Sequence, residues 1–201
     1  MTIKEMQVRA RLGRVIAVLE FATISFLLLL SRQNIVPDKV GFVIVFLFPI
    51  AFGLHVTEEF ILPGGFIPWD NLFRPKYTDT PGSYYVKINA LPGIASLLVA
   101  LGAFDYAGKY SFFGIRAWLA FLTFMAWNAF FHVQGAFQTK RYSPGMVTGV
   151  FLFVSLAVIS YIHFRSSGVI GGLSIFFCMA IALALQPVLD FIKNRGLEKH
   201  A

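Results

Sequence analysis

The chain has 201 residues, of which 57% are hydrophobic, only 13% are charged and 23 are phenylalanine; no soluble domain of this length hides so much apolar surface, so its solvent is a bilayer. Its net charge of +7 comes from 17 basic residues lying mostly in short segments between apolar runs, a placement that reads as membrane topology and excludes a nucleic-acid face. The single cysteine, Cys178, excludes a disulfide within one chain and, inside an apolar run, reads as a small core residue.

Lys4, Arg9, Arg11 and Arg14 precede an apolar run from Val15 to Leu30. A basic start before such a run imitates a secretory signal, but Leu30-Ser31-Arg32-Gln33 offers no small-residue cleavage site, and the run (15–30) reads as the first helix. Glu20 lies about 8 Å into it at the helical rise, a buried carboxylate rather than a boundary charge. After Pro37, Asp38 and Lys39, a second helix spans about 40–62 and stops at Pro63-Gly64-Gly65. Residues 63–87 form the longest connection. Its Pro and Gly forbid one continuous helix, and Trp69, Tyr77, Tyr84 and Tyr85 suit the membrane interface. A loop of this length either covers a site or lies in that interface. Further helices follow at about 88–104, with Asn89 and Pro92 near its start, at 112–137, at 146–164 after Pro144-Gly145, and at 168–192, with Gln186, Pro187 and Asp190 in its last turns. The basic tail from Lys193 reads as solvated. The whole is one all-α polytopic transmembrane helical bundle of about six spans.

Lysine and arginine divide unevenly between the two sides of such a bundle. Lys4, Arg9, Arg11, Arg14, Arg74, Lys76, Lys87, Lys140, Arg141, Lys193, Arg195 and Lys199 fall on one side, and Arg32, Lys39, Lys109, Arg116 and Arg165 on the other. The positive-inside rule puts both termini and the 63–87 connection in the cytoplasm of an integral, multi-pass protein. The same topology brings Glu20, His55, Asn89, Asn128, His132, Gln186 and Asp190 to one depth near the cytoplasmic interface. His163, at the opposite face, reads as interfacial.

The second helix carries Phe52-Gly53-Leu54-His55-Val56-Thr57-Glu58-Glu59-Phe60. At ~3.6 residues per turn, His55, Glu58 and Glu59, spaced i, i+3 and i+4, share one face. Each ionisable group in a bilayer costs on the order of 2.5–3.5 kcal/mol on insertion scales, so three in one turn demand a partner, a cavity or a cation. Together with Asn128-x-x-x-His132 in a later membrane helix, the His55-x-x-Glu58-Glu59 spacing resembles a family of integral membrane proteins named for its HXXEE motif. The resemblance implies a membrane protein of several helices with these residues at its working site. It carries no activity with it, so function rests on the chemistry.

His55, Glu59 and His132 read as a two-histidine, one-carboxylate set for a divalent metal ion, a set that leaves coordination positions open and serves both zinc hydrolases and non-haem iron enzymes. Glu58 is near enough to act as general base on water at the ion. The order resembles, backwards, the His-Glu-x-x-His logic of metallopeptidases. Asn128, one turn from His132, is a ligand or hydrogen-bonds one, and with Asn89 orients the substrate. If Glu20 and Glu58 also bind, the site approaches the carboxylate-rich centres of di-iron bundles, though without their paired Glu-x-x-His motifs. The expected function is hydrolysis of a lipid or other hydrophobic or amphipathic small molecule at the cytoplasmic leaflet, with zinc before iron as the metal, membrane lipids as surroundings and no nucleic acid as partner. The alternatives are iron-dependent oxidation, a proton or ion pathway, and a non-catalytic protein whose polar groups satisfy one another across helices. The oligomeric state is open.

Overall fold

Apolar runs become helices here because a backbone in lipid must satisfy its own N–H and C=O groups. The computed structural model describes residues 1–32, 37–75, 80–105 and 107–198, without the side chains of residues 29–32, 186 and 188–198. Among the described residues there are seven helices and no strand: α1 (Ile3–Arg32), α2 (Lys39–Phe60), α3 (Phe66–Phe73), α4 (Gly82–Gly102), α5 (Phe112–Thr139), α6 (Met146–Ser166) and α7 (Gly172–Glu198). Three of them, α2, α4 and α6, are long and apolar enough to cross a membrane, as a membrane protein requires. α5 has the length, 28 residues, but Arg116, Asn128, His132 and Gln134 dilute its apolar character. The exterior is greasy too: Phe21, Leu91, Phe113, Phe130, Phe151 and Ile162 are all exposed.

Three elements depart from expectation. α1 begins well before residue 15 because Thr2-Ile3-Lys4-Glu5 is a capping box: Glu5 N–H donates to Thr2 Oγ1 at 3.2 Å, and Thr2 N–H donates to Glu5 Oε2 at 2.6 Å. The connection 63–87 contains α3, whose Pro68 sits in the first turn, where a missing N–H breaks no helical bond. α4 starts at Gly82, not 88, with Pro81 at its N-cap. Lys76, Tyr77 and Asp79 of that connection lie outside the described residues, as do the side chains of Gln186 and Asp190.

α2 is apolar nearly all round and buried on most sides, and is therefore the central helix, packed by α1, α4 and α6 and met by long side chains of α5, where Trp118 and Phe121 stand edge-on to Phe48. Pro49 inside it cannot donate to the carbonyl of Val45. Trp118 of α5 takes the place of that donor, its Nε1–H reaching the Val45 oxygen at 3.2 Å. One bond thus repairs the proline gap and pins α5 to α2.

At the start of α2, Asp38 accepts the Gly41 N–H at 2.9 Å through Oδ1, and through Oδ2 meets the Tyr110 hydroxyl at 2.8 Å and His163 Nε2 at 2.7 Å. His163 is therefore a clasp between the ends of α2 and α6. Burial works against the ionised carboxylate, yet these hydrogen bonds outweigh it and hold Asp38 below its usual pKa. Its stabilising effect is complete above the ordinary aspartate value of about 3.9 and is lost as pH falls through the lower native value. Asp38→Asn should remove this acid-side loss, which thermal melts in detergent between about pH 2 and 6 will read.

Candidate metal centre

α2 supplies two donor groups and α5 a third. His55 and Glu59, one turn apart, face His132 across the α2–α5 packing, and the three residues are 2%, 4% and 1% exposed. His55 Nε2 lies 3.6 Å and His132 Nε2 3.4 Å from Glu59 Oε1, and the two imidazoles are near-perpendicular with centroids 5.1 Å apart. Around a tetrahedral ion with ligand distances near 2.0–2.1 Å, donor atoms stand roughly 3.3 Å apart. The observed spacing fits one such ion. Among the described residues, this is the one group of three or more such side chains compact enough to do so.

The far nitrogens of both rings are already held. His55 Nδ1 is 2.9 Å from Thr148 Oγ1, and His132 Nδ1 is 3.0 Å from Ser143 Oγ. Thr148 donates its hydroxyl proton to Glu58 Oε2 at 2.5 Å, since a carboxylate only accepts. The hydroxyl then has only lone pairs to offer His55, so Nδ1 carries the ring proton and Nε2 turns its lone pair toward Glu59. Two buried acceptors facing each other repel unless a cation lies between them.

Glu58 is turned away from this group. Oε1 accepts the Val147 N–H at 3.1 Å and the Tyr142 hydroxyl; Oε2 accepts the Thr148 N–H at 2.7 Å beside the Thr148 hydroxyl. It caps the N-terminus of α6 from another helix, where the helix dipole favours an anion. Burial and the bond to Glu58 push the Tyr142 pKa up, so its phenol stays a donor. Expected as a ligand or general base, Glu58 stands outside the group and reaches His55 only through the Thr148 hydroxyl. Glu20, the other expected ligand, packs its carboxylate against Gly53, where a Cβ would stand 2.7 Å from Oε1. Gly53 and His55 are about 200° apart around α2, so Glu20 lies on the opposite flank and does not join the group.

The segment leading into α6 closes the site. Gly145, at φ 96°, lies so near that a Cβ there would stand 2.8 Å from His55 Cε1, 2.8 Å from His132 Cε1 and 2.9 Å from Glu59 Cγ. Just beyond, α6 runs through a π-helical stretch, Gly149–Val154, an irregularity that often marks functional sites. It sets Phe153 against His55 at 5.0 Å. On the other side α3 lays Trp69 over His132, nearly parallel at 5.9 Å, an approach that works because α5 has Gly135 where a Cβ would meet the indole at 2.3 Å. Trp69, expected at the interface, is buried as part of the cover.

His55, Glu59 and His132 border a cavity of about 250 Å³ between α2, α4 and α5. Asn89 and Asn128 both line it. Asn128 Nδ2 is 3.4 Å from His132 Nε2, and Asn89 Nδ2 donates to the Tyr85 carbonyl at 2.9 Å. Phe52, Phe124, Met125, Leu91 and Pro92 form most of the remaining wall. A family model described as "Protein of unknown function with HXXEE motif" matches residues 46–160, a stretch holding His55, Glu58, Glu59, Asn128, His132, Gly145 and Thr148. No curated protein and no solved structure matches the chain.

Proposed function

The chain belongs to the HXXEE family, and we propose that it is a membrane enzyme of about six spans, both termini cytoplasmic, that uses a divalent metal ion to hydrolyse a lipid or other amphipathic substrate at the cytoplasmic leaflet. The observation that carries this reading is the pair of imidazoles whose Nδ1 atoms are engaged by Thr148 and Ser143 while their Nε2 atoms face one buried carboxylate beside an apolar cavity. Zinc bound by two histidines and one carboxylate supplies Lewis-acid chemistry and activates water at neutral pH, so no separate carboxylate base is needed. Asn128 either turns its amide to present Oδ1 as a fourth ligand or keeps Nδ2 forward to donate to a substrate carbonyl, and Asn89 orients the substrate from α4. The apolar walls exclude bulk water and accept a hydrocarbon chain. Reading α1, α5 and α7 as spans beside the three membrane-length helices gives six, and the lysine and arginine distribution supports the orientation.

The same ligand set serves non-haem iron oxidation. With Glu20 on the far flank of α2 and Glu58 committed to α6, a di-iron centre lacks its carboxylates, and one ion per chain is the reading the geometry favours. The test is turnover of single-chain esters, amides and phosphate esters by the zinc-loaded and iron-loaded protein, with and without air. Hydrolysis that ignores oxygen and falls on the order of 100-fold or more in His132→Ala supports the proposal. Product that forms only with dioxygen and a reductant contradicts it and favours the oxidoreductase.

A further inference from the structure

The cavity is polar at one end and apolar at the other. His132 and Asn128 lie toward the α3 end of α5, while Phe124, two turns earlier, is about 12 Å deeper at the helical rise. Phe52, one turn before His55 on α2, lies at the same deep end. Leu91 of α4 lines the cavity yet is itself 67% exposed, so it stands where the cavity meets the surface. At the polar end stands Arg74, which follows α3. It grips Asp70 through Nε at 2.8 Å and Nη2 at 2.7 Å, and its side chain is 21% exposed. A guanidinium has five N–H donors, so a fork with one edge on Asp70 has further donors to present to an oxyanion.

We propose that the cavity takes a single-chain amphiphile with an anionic head, admitted from the bilayer past Leu91 and seated with its head at Arg74 beside His55, Glu59 and His132. The part of this assignment that sets the head against a metal rests on the reading above; the recognition by Arg74 and the apolar wall does not. A neutral amphiphile of the same chain length fits the wall and misses the fork.

The full-length protein, purified in an uncharged detergent, is titrated with dodecyl phosphate, dodecanol and inorganic phosphate, and bound ligand and bound metal are counted on the same sample by native mass spectrometry. Dodecyl phosphate should bind at least about tenfold more tightly than dodecanol, and inorganic phosphate should not displace it. The Asp70→Asn, Arg74→Gln double variant, which leaves no unpaired buried charge, should bind the two chain-bearing probes equally once its metal is removed and should still take up metal when zinc is supplied, and Arg74→Lys should fall between. Leu91→Trp, which fills the wall, should weaken both probes. Equal binding of dodecanol and dodecyl phosphate by the native protein, survival of the preference in the double variant, or displacement by inorganic phosphate overturns the proposal. Preference intact in folded protein that takes up no metal when zinc is supplied upholds the anionic-head site and overturns the metal reading alone.

Discussion

Gly145→Ala should abolish high-affinity metal binding while leaving most of the bundle folded. Two costs combine. At φ 96° a Cβ forces the left-handed region, roughly 1–2 kcal/mol for a residue other than glycine. The larger cost is steric, because that Cβ would press at under 3 Å on both imidazoles and on Glu59, none of which can retreat without opening the group. Metal affinity should fall on the order of 100-fold. Gly168→Ala is the control: it has a similar backbone, φ 73°, with nothing within 4 Å of the added carbon. It carries the backbone cost alone, so thermal melts and metal titrations of the two variants separate strain from collision.

Glu58→Ala should destabilise the fold by roughly 1–3 kcal/mol for each buried donor it leaves without an acceptor. The N–H groups of Val147 and Thr148 and the Tyr142 hydroxyl then lose their acceptor together. Glu58→Gln is more informative. It keeps shape and one acceptor oxygen but brings an NH₂ into a ring of donors, and it frees the Thr148 hydroxyl to donate to His55 Nδ1. The ring proton then moves to Nε2, where a metal needs the lone pair. A positioning role predicts that Glu58→Gln lowers both melting temperature and metal affinity, the latter about tenfold. A general base predicts normal stability and metal content with turnover lost. Denaturation and metal titration of the one variant decide between them.

The sequence announces the group of His55, Glu59 and His132 more plainly than its surroundings. His55 and Glu59 are tied by helical spacing, and a count of membrane crossings already brings His132 to their depth. What it hides is direction. Glu58 is one residue from Glu59, about 100° around the helix, which suffices to aim it at α6 instead of the cavity. Thr148, Ser143 and Gly145 carry no metal-ligand chemistry, so nothing in their identity flags them. The available signal is topological: the turn into α6 lies on the same side as His55, and its polar residues have few other partners to meet. α3 was concealed by Pro63, Gly64, Gly65 and Pro68, punctuation that ends α2 and then sits harmlessly in the first turn of the next helix. Counting crossings gives the depth of Glu20 but not its azimuth; facing Gly53 instead of His55 is a matter of which flank of α2 the first helix covers.

In the proposed centre, His55, Glu59 and His132 hold one metal ion through both Nε2 atoms and a carboxylate oxygen. X-ray absorption at the metal edge of protein purified without added metal tests it most directly, beside a His55→Ala variant. About one ion per chain with two imidazole nitrogens near 2.0–2.1 Å is expected, and loss of that signature in the variant. Folded protein with no stoichiometric metal, or an ion whose first shell lacks imidazole, would contradict it and leave the group as a satisfied polar core or a proton relay.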